Sequence, residues 1–149
     1  MAAEFQIDNL TCIAALNAIV DLLDDGTIPV VRLLSGTKPA QLTTADDGDV
    51  LAIIPLDTTN AFGAATDDDP GAVAAVTGTP TANGEAAAST GTPATYWRAY
   101  SDTGGTPVCR MQGTCGTTSA DFILSPGVTI VEGEPVTILT WNVRLGEGG

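Results

Sequence analysis

The sequence predicts an all-β domain of β-sandwich or jelly-roll form, preceded by one N-terminal α-helix. Three observations predict it. Apolar residues recur at helical spacing in one segment only, near the start of the chain. From there on, short runs of Val, Ile, Leu and aromatic residues return roughly every eight to fifteen residues, each bounded by Gly, Pro, Thr or Asp. A length of 149 residues with 44% hydrophobic side chains suits one domain whose core needs neither disulfides nor a metal. No internal repeat is visible, so solenoids and propellers are not expected.

The helix is expected over residues 9–25. Leu10, Ile13, Leu16, Val20 and Leu23 recur at steps of three and four, with Ala14, Ala15 and Ala18 as good helix formers between them. Asp8 or Asn9 can cap its start, and Gly26 can close its end. Ile19 and Leu22 widen the apolar stripe, so the helix should lie flat on something apolar. Strands follow at 30–34 and 50–56, with a Ser-Gly-Thr-Lys-Pro turn at 35–39 and a polar loop at 43–49 between them. A weaker strand is expected at 72–77. Residues 95–100 and 107–112 read as the arms of a hairpin turned by 101–105. Short strands at 120–124 and 128–131 precede a tight Glu-Gly-Glu link and a long last strand, 136–145. In that strand Leu139, Trp141, Val143 and Leu145 share one apolar face, which should pack on the core. Residues 61–93, built almost wholly of Ala, Gly, Thr, Asp and Pro, read as long loops around one or two edge strands, suited to contact with other subunits or, equally, to mobility.

Charge narrows the function classes. Eighteen Asp and Glu stand against five Lys and Arg, for a net charge of −13. Such a body repels phosphate backbones and anionic lipid, so neither nucleic acid nor membrane is an expected partner. There is no histidine, which removes Ser-His and Cys-His nucleophile systems and the commonest metal ligand. The opening residues 1–8 hold no basic stretch leading into an apolar run, and no run approaches membrane-spanning length; a soluble protein made in a cytoplasm is expected. The three cysteines, Cys12, Cys109 and Cys115, read as buried apolar residues, with a Cys109–Cys115 bridge across a turn as the alternative.

Chemistry-bearing patterns are sparse. The clusters Asp24-Asp25, Asp46-Asp47-Gly48-Asp49 and Asp67-Asp68-Asp69 read as solvated loop charge, or as calcium ligands lacking the usual Asp-x-Asp-x-Asp-Gly spacing. Glu132 and Glu134 would stand about 6.6 Å apart along an extended chain, the separation of a hydrolytic carboxylate pair, yet Gly133 between them marks a turn. No phosphate loop, nucleophile elbow or Cys-x-x-Cys pair occurs. No cofactor, metal or catalytic residue is assigned. Alternation in the strand at 95–100 points Trp97 inward and leaves Tyr96, Arg98 and Tyr100 on the opposite face, as core, as a contact surface or as a sugar-stacking patch. The segment Ala2, Ala3, Glu4, Phe5, Gln6 and Ile7 follows no local pattern and is expected as an arm, 1–7, onto a neighbour.

Four blocks carry a resemblance: Leu10-Thr11-Cys12-Ile13-Ala14-Ala15-Leu16-Asn17-Ala18-Ile19-Val20-Asp21; Asn60-Ala61-Phe62-Gly63-Ala64-Ala65 with Asp69-Pro70-Gly71; Ala94-Thr95-Tyr96-Trp97-Arg98 leading through Gln112-Gly113-Thr114 to Ser119-Ala120-Asp121-Phe122-Ile123-Leu124; and Ile130-Val131-Glu132-Gly133. In this order they resemble small virion structural proteins of tailed bacteriophages, over nearly the whole chain; the cysteines at 109 and 115 depart from that pattern. The resemblance implies a jelly-roll or sandwich protein that decorates and cements the outside of a capsid. Its partners would be the major capsid protein and further copies of itself, as trimers at local three-fold positions. A tail or baseplate component is the alternative location, and a carbohydrate- or receptor-binding module the alternative class.

Overall fold

The computed structural model describes residues 7–25, 29–103, 105–116 and 122–146. One helix, α1 (Asn9–Asp21), precedes eleven strands: β1 (Val30–Leu34), β2 (Val50–Pro55), β3 (Thr66–Asp67), β4 (Ala72–Ala75), β5 (Thr81–Asn83), β6 (Thr92–Pro93), β7 (Tyr96–Thr103), β8 (Thr106–Thr114), β9 (Phe122–Ser125), β10 (Thr129–Ile130) and β11 (Pro135–Leu145). A 3-10 turn at Ala86–Ala88 lies between β5 and β6. The fold is all-β and sandwich-like, with a single N-terminal helix.

One antiparallel sheet runs in the order β2-β1-β7-β8. A second is built on β11, the longest strand, which pairs with β4 and β5 and also with β9; β3 extends it beyond β4, and β6 and β10 form a separate two-stranded sheet. The chain from β4 to β5 stays along β11, held by Val76 N–H to the Trp141 carbonyl at 2.8 Å and Ile138 N–H to the Pro80 carbonyl at 2.9 Å. Rings join the sheets at the centre of the core. Trp97 of β7 lies 4.8 Å from Trp141 of β11 edge-to-face and stacks on Phe122 of β9 at 5.0 Å, while Phe62 meets Trp141 at 4.7 Å. Offset and edge-on contacts of this kind add about 0.5–1.5 kcal/mol per pair beyond the area they bury. Val31, Leu33, Leu51, Ile54, Leu124, Val136 and Ile138 complete the packing around them.

The expected hairpin forms as β7 and β8, with Gly105 in the left-handed region at φ 83°. Three expectations are corrected. The helix is shorter than 9–25, and its apolar stripe is buried at Leu16, Val20 and Leu23 as expected but is narrower than expected. Asp8 caps it by accepting from Thr11 N–H at 2.7 Å, its last helical residue is Asp21, and Gly26 lies outside the described residues. Its buried stripe is Cys12, Leu16, Val20 and Leu23, while Leu10 is 78% exposed and Ile19 and Leu22 also face out. Asn9 accepts from Gly71 N–H at 2.9 Å and donates to Asp67 at 2.7 Å, and Asn17 accepts from Ala65 N–H at 2.8 Å. The two asparagines thereby tie the helix to the segment at 65–71.

The same bonds correct the reading of residues 61–93 as long loops with at most two edge strands. Four short strands and the 3-10 turn occupy this stretch, and Ala61, Phe62, Ala65, Ala72, Ala74 and Ala88 are buried in it. Small side chains suffice because Asn9, Asn17 and Asp24, which accepts from Ala61 N–H at 2.8 Å, supply the hydrogen bonds its backbone needs. The third correction concerns β11. A register shift between Ile138 and Thr140 interrupts its pairing with β9. One extra residue there reverses which side chains face the core. Val136 and Ile138 point inward before the shift, Trp141 after it, and Leu139 is left 51% exposed.

Candidate functional site

Tyr96, Arg98 and Tyr100 do share the face of β7 opposite Trp97, but they do not form an exposed contact surface. Tyr96 is 0%, Arg98 1% and Tyr100 7% exposed. The loop at 35–49, between β1 and β2, covers them. Its neck is closed by Ser35 N–H to the Asp49 carbonyl and Asp49 N–H to Ser35 Oγ, both 3.0 Å. Gly36 and Gly48 sit at this neck with φ of 88° and 75°. A Cβ on Gly48 would come within 2.2 Å of the Ser35 carbonyl oxygen, so only glycine lets the two ends of the loop approach.

Arg98 holds the loop from below. Its Nη1 donates to the Thr44 carbonyl at 2.7 Å and to Asp46 Oδ1 at 2.8 Å, and its Nη2 donates to the Gln41 carbonyl at 3.0 Å. Its Nε donates to Gln112 Oε1 at 3.0 Å, and Gln112 in turn donates to the Pro39 carbonyl at 2.8 Å. The Tyr96 hydroxyl bonds both backbone groups of Asp47, donating to its carbonyl at 2.6 Å and accepting from its N–H at 2.9 Å. Asp47 also accepts from Thr37 N–H at 2.8 Å. A buried guanidinium thus meets one carboxylate, one amide and two main-chain carbonyls, which is how a buried charge becomes tolerable.

Asp46 is the second centre. It takes Arg98 on Oδ1 and Arg32 Nη1 on Oδ2 at 2.9 Å, and the Tyr100 hydroxyl donates to Oδ1. The Arg32 guanidinium lies over the Tyr100 ring, 4.4 Å from its centroid. Burial raises the Asp46 pKa, but the hydrogen bonds from Tyr100, Arg98 and Arg32 outweigh it and hold the carboxyl below its usual value. Burial, with the Asp46 charge added, pushes the Tyr100 phenol up to about 12. Burial also raises the Cys109 thiol. Beside this network lies an open cleft of about 490 Å³, lined by Arg32, Asp46, Tyr100 and Cys109 at its base and by Leu42 and Val108 at its rim.

The other candidates separate. Ala2, Ala3, Glu4, Phe5 and Gln6 lie outside the described residues, and Ile7, counted with them as an arm, is half-buried against the core. Cys109 and Cys115 are both free thiols. Cys109 lies within β8 opposite Tyr100, whereas Cys115 follows the end of that strand at Thr114. Six residues of extended chain separate them by about 20 Å, far beyond disulfide reach. Glu132 and Glu134 flank Gly133, at φ 77°, in the exposed turn before β11. Of the acidic clusters, Asp24 holds Ala61, Asp46 holds the two arginines and Asp68 pairs with Arg144. Among the described residues no three His, Cys, Asp or Glu side chains converge as a metal site. No described helix is long and apolar enough to cross a membrane.

Asp46 and Gln112 escape sequence reasoning as partners of Arg98, and Arg32 as the second arginine on Asp46. One signal was present: bulky residues on both faces of β7, Trp97 on one and Tyr96 and Tyr100 on the other, require cover on both sides. Compared with protein families, curated proteins and solved structures, the chain matches none.

Proposed function

We propose that this chain acts by contact rather than by turnover, as a tailed-phage virion protein that decorates the outside of the major capsid shell and stabilises it. One observation carries the reading: the arginines are turned to internal use. Arg32 and Arg98 hold Asp46, Arg110 bonds Ser101 and faces Asp25, and Arg144 pairs with Asp68. The chain as a whole carries a net charge of −13, which keeps many copies soluble while they crowd on one shell. The resemblance of the four sequence blocks supplies the virion context. In this reading the copies associate by cyclic symmetry, as trimers, and stabilise the shell because they bind only its assembled form. The sugar-binding alternative loses its aromatic patch, since Tyr96 and Tyr100 are buried.

The test is the copy number of the chain in purified particles, by quantitative mass spectrometry against the major capsid protein. A one-to-one or small-integer ratio is expected. A handful of copies would place it in the tail or baseplate instead, and absence from particles would overturn the virion reading.

A further inference from the structure

Three of the seven large hydrophobic side chains exposed among the described residues belong to one short helix. Leu10 is 78%, Leu22 45% and Ile19 39% exposed. Residues four apart line up as a ridge along a helix. Leu10, Ala14, Ala18 and Leu22 form such a ridge, on the side of α1 away from the buried Cys12, Leu16 and Val20. Ala14 and Ala18 are exposed as well, so the row is open along its whole length. Leucines exposed singly need no explanation, whereas a continuous apolar row points to a contact.

Symmetry and charge select the partner. The row reads Leu-Ala-Ala-Leu from either end. A two-fold axis between Ala14 and Ala18 therefore sets Leu10 beside Leu22 of a second, antiparallel copy, and Ala14 beside its Ala18. Such self-complementarity is what an isologous contact requires. The alanines let the two backbones approach at the centre, and the leucines fill the ends. Two bodies of net charge −13 repel each other, but α1 is uncharged from Asn9 to Val20. Asp21, the next charge, comes level with Thr11 of the second copy, in a first turn that holds no acid and carries the positive end of the helix dipole. We propose that this ridge is a self-association surface, on which α1 of a second copy packs antiparallel. The 13-residue helix offers a footprint about 20 Å long and about 10 Å wide. That is well below the roughly 800 Å² per partner of a standard interface, so the pair forms near millimolar concentration and not in dilute solution. The contact stands apart from the virion reading; where copies are already trimers, it joins trimers in pairs.

Sedimentation equilibrium of the full chain over about 0.02–2 mM measures the mass, and amide NMR over the same range locates the contact. A concentration-dependent doubling of mass is expected, with shifts concentrated at residues 10–22. Ala18→Glu keeps a good helix former and puts a charge at the centre of the ridge, and should weaken the pair about tenfold or more. Thr58→Glu adds the same charge to an exposed loop and should leave the affinity within about twofold. Adding Ala14→Lys to Ala18→Glu sets opposite charges side by side in antiparallel helices and like charges together in parallel ones. The double variant should recover most of the lost affinity. Should Ala18→Glu fail to fold, Leu10→Gln tests the same contact from the most exposed end of the row. A mass that never doubles would give the row to a partner of another kind and overturn the proposal. So would a dimer untouched by Ala18→Glu or Leu10→Gln, an equal loss in Thr58→Glu, or a double variant no stronger than Ala18→Glu alone.

Discussion

Replacing Arg98 by Met tests whether the buried arginine holds the loop at 35–49. Methionine keeps most of the volume, so the cavity left behind is small. What is lost is a set of four hydrogen bonds, to Gln112, the Thr44 carbonyl, Asp46 and the Gln41 carbonyl. Removing one member of a buried ion pair costs about 3–5 kcal/mol. Asp46 keeps Arg32 and Tyr100 and is 16% exposed, so water can reach it once the loop loosens; the lower end, about 3 kcal/mol, applies. For a domain of this size that lowers Tm by about 6–12 °C. Urea denaturation measures the loss. Hydrogen exchange at the Thr37, Asp47 and Asp49 amides, which bond Asp47, Tyr96 and Ser35, reports whether the loop itself opens. Adding Asp46→Leu to Arg98→Met should cost less than the sum of the two single changes, by about 1 kcal/mol or more. A loss under about 1 kcal/mol with unchanged amide exchange would refute the clamp.

The network also sets the pH limits of stability. Because the folded pKa of Asp46 is depressed, its contribution is complete above the unfolded value of about 3.9 and is lost as pH falls through the lower folded value. Thermal melts from neutral pH into acid should show this fall, and Asp46→Asn should flatten it. Tyr100 behaves oppositely: its raised pKa gives stability that is present below about 10 and lost as pH rises toward about 12; burial raises Tyr96 as well, so ultraviolet titration should find both tyrosines ionising late. At the loop neck, Gly48→Ala meets a backbone oxygen as well as a left-handed φ, whereas Gly133→Ala has open space and only the φ penalty. Gly133→Ala should cost about 1 kcal/mol and Gly48→Ala clearly more, by urea denaturation. In β11, Leu139→Asn should change stability by less than about 0.5 kcal/mol, while Ile138→Ala should cost about 2–5 kcal/mol; the reverse order would reject the register shift between them.

Much of the β framework was legible because it rests on residue type in short windows. The runs that became β1, β2 and the β7–β8 hairpin are rich in β-branched and aromatic residues and end at glycine or proline, so local preference and final structure agree. Elsewhere the deciding contacts were distant or involved the main chain. The seat of α1 on the segment at 65–71 depends on Asn9 and Asn17 meeting backbone N–H groups 62 and 48 residues away. The face change in β11 had a visible trace: Val136 and Ile138 belong to one alternation and Leu139, Trp141 and Val143 to the other, and two apolar phases meeting in one strand mark a bulge.

The clamp left a weaker trace, for a physical reason. Alternation in β7 correctly put Tyr96, Arg98 and Tyr100 on one face but could not say that the face is covered. Its cover is a loop rich in Gly, Thr and Asp, which on composition belongs to solvent. The loop covers the strand because the carbonyls of Gln41 and Thr44 point down at Arg98. Carbonyl groups occur at every residue, so nothing in the sequence marks these two. Only Asp46, 52 residues from Arg98, could have been matched to it by charge, and it stands in a run with Asp47 and Asp49 that hides which acid is chosen. The choice follows from the closed neck: with Ser35 bonded to Asp49 and Asp47 held by Tyr96 and Thr37, Asp46 is the acid of the run that reaches both arginines.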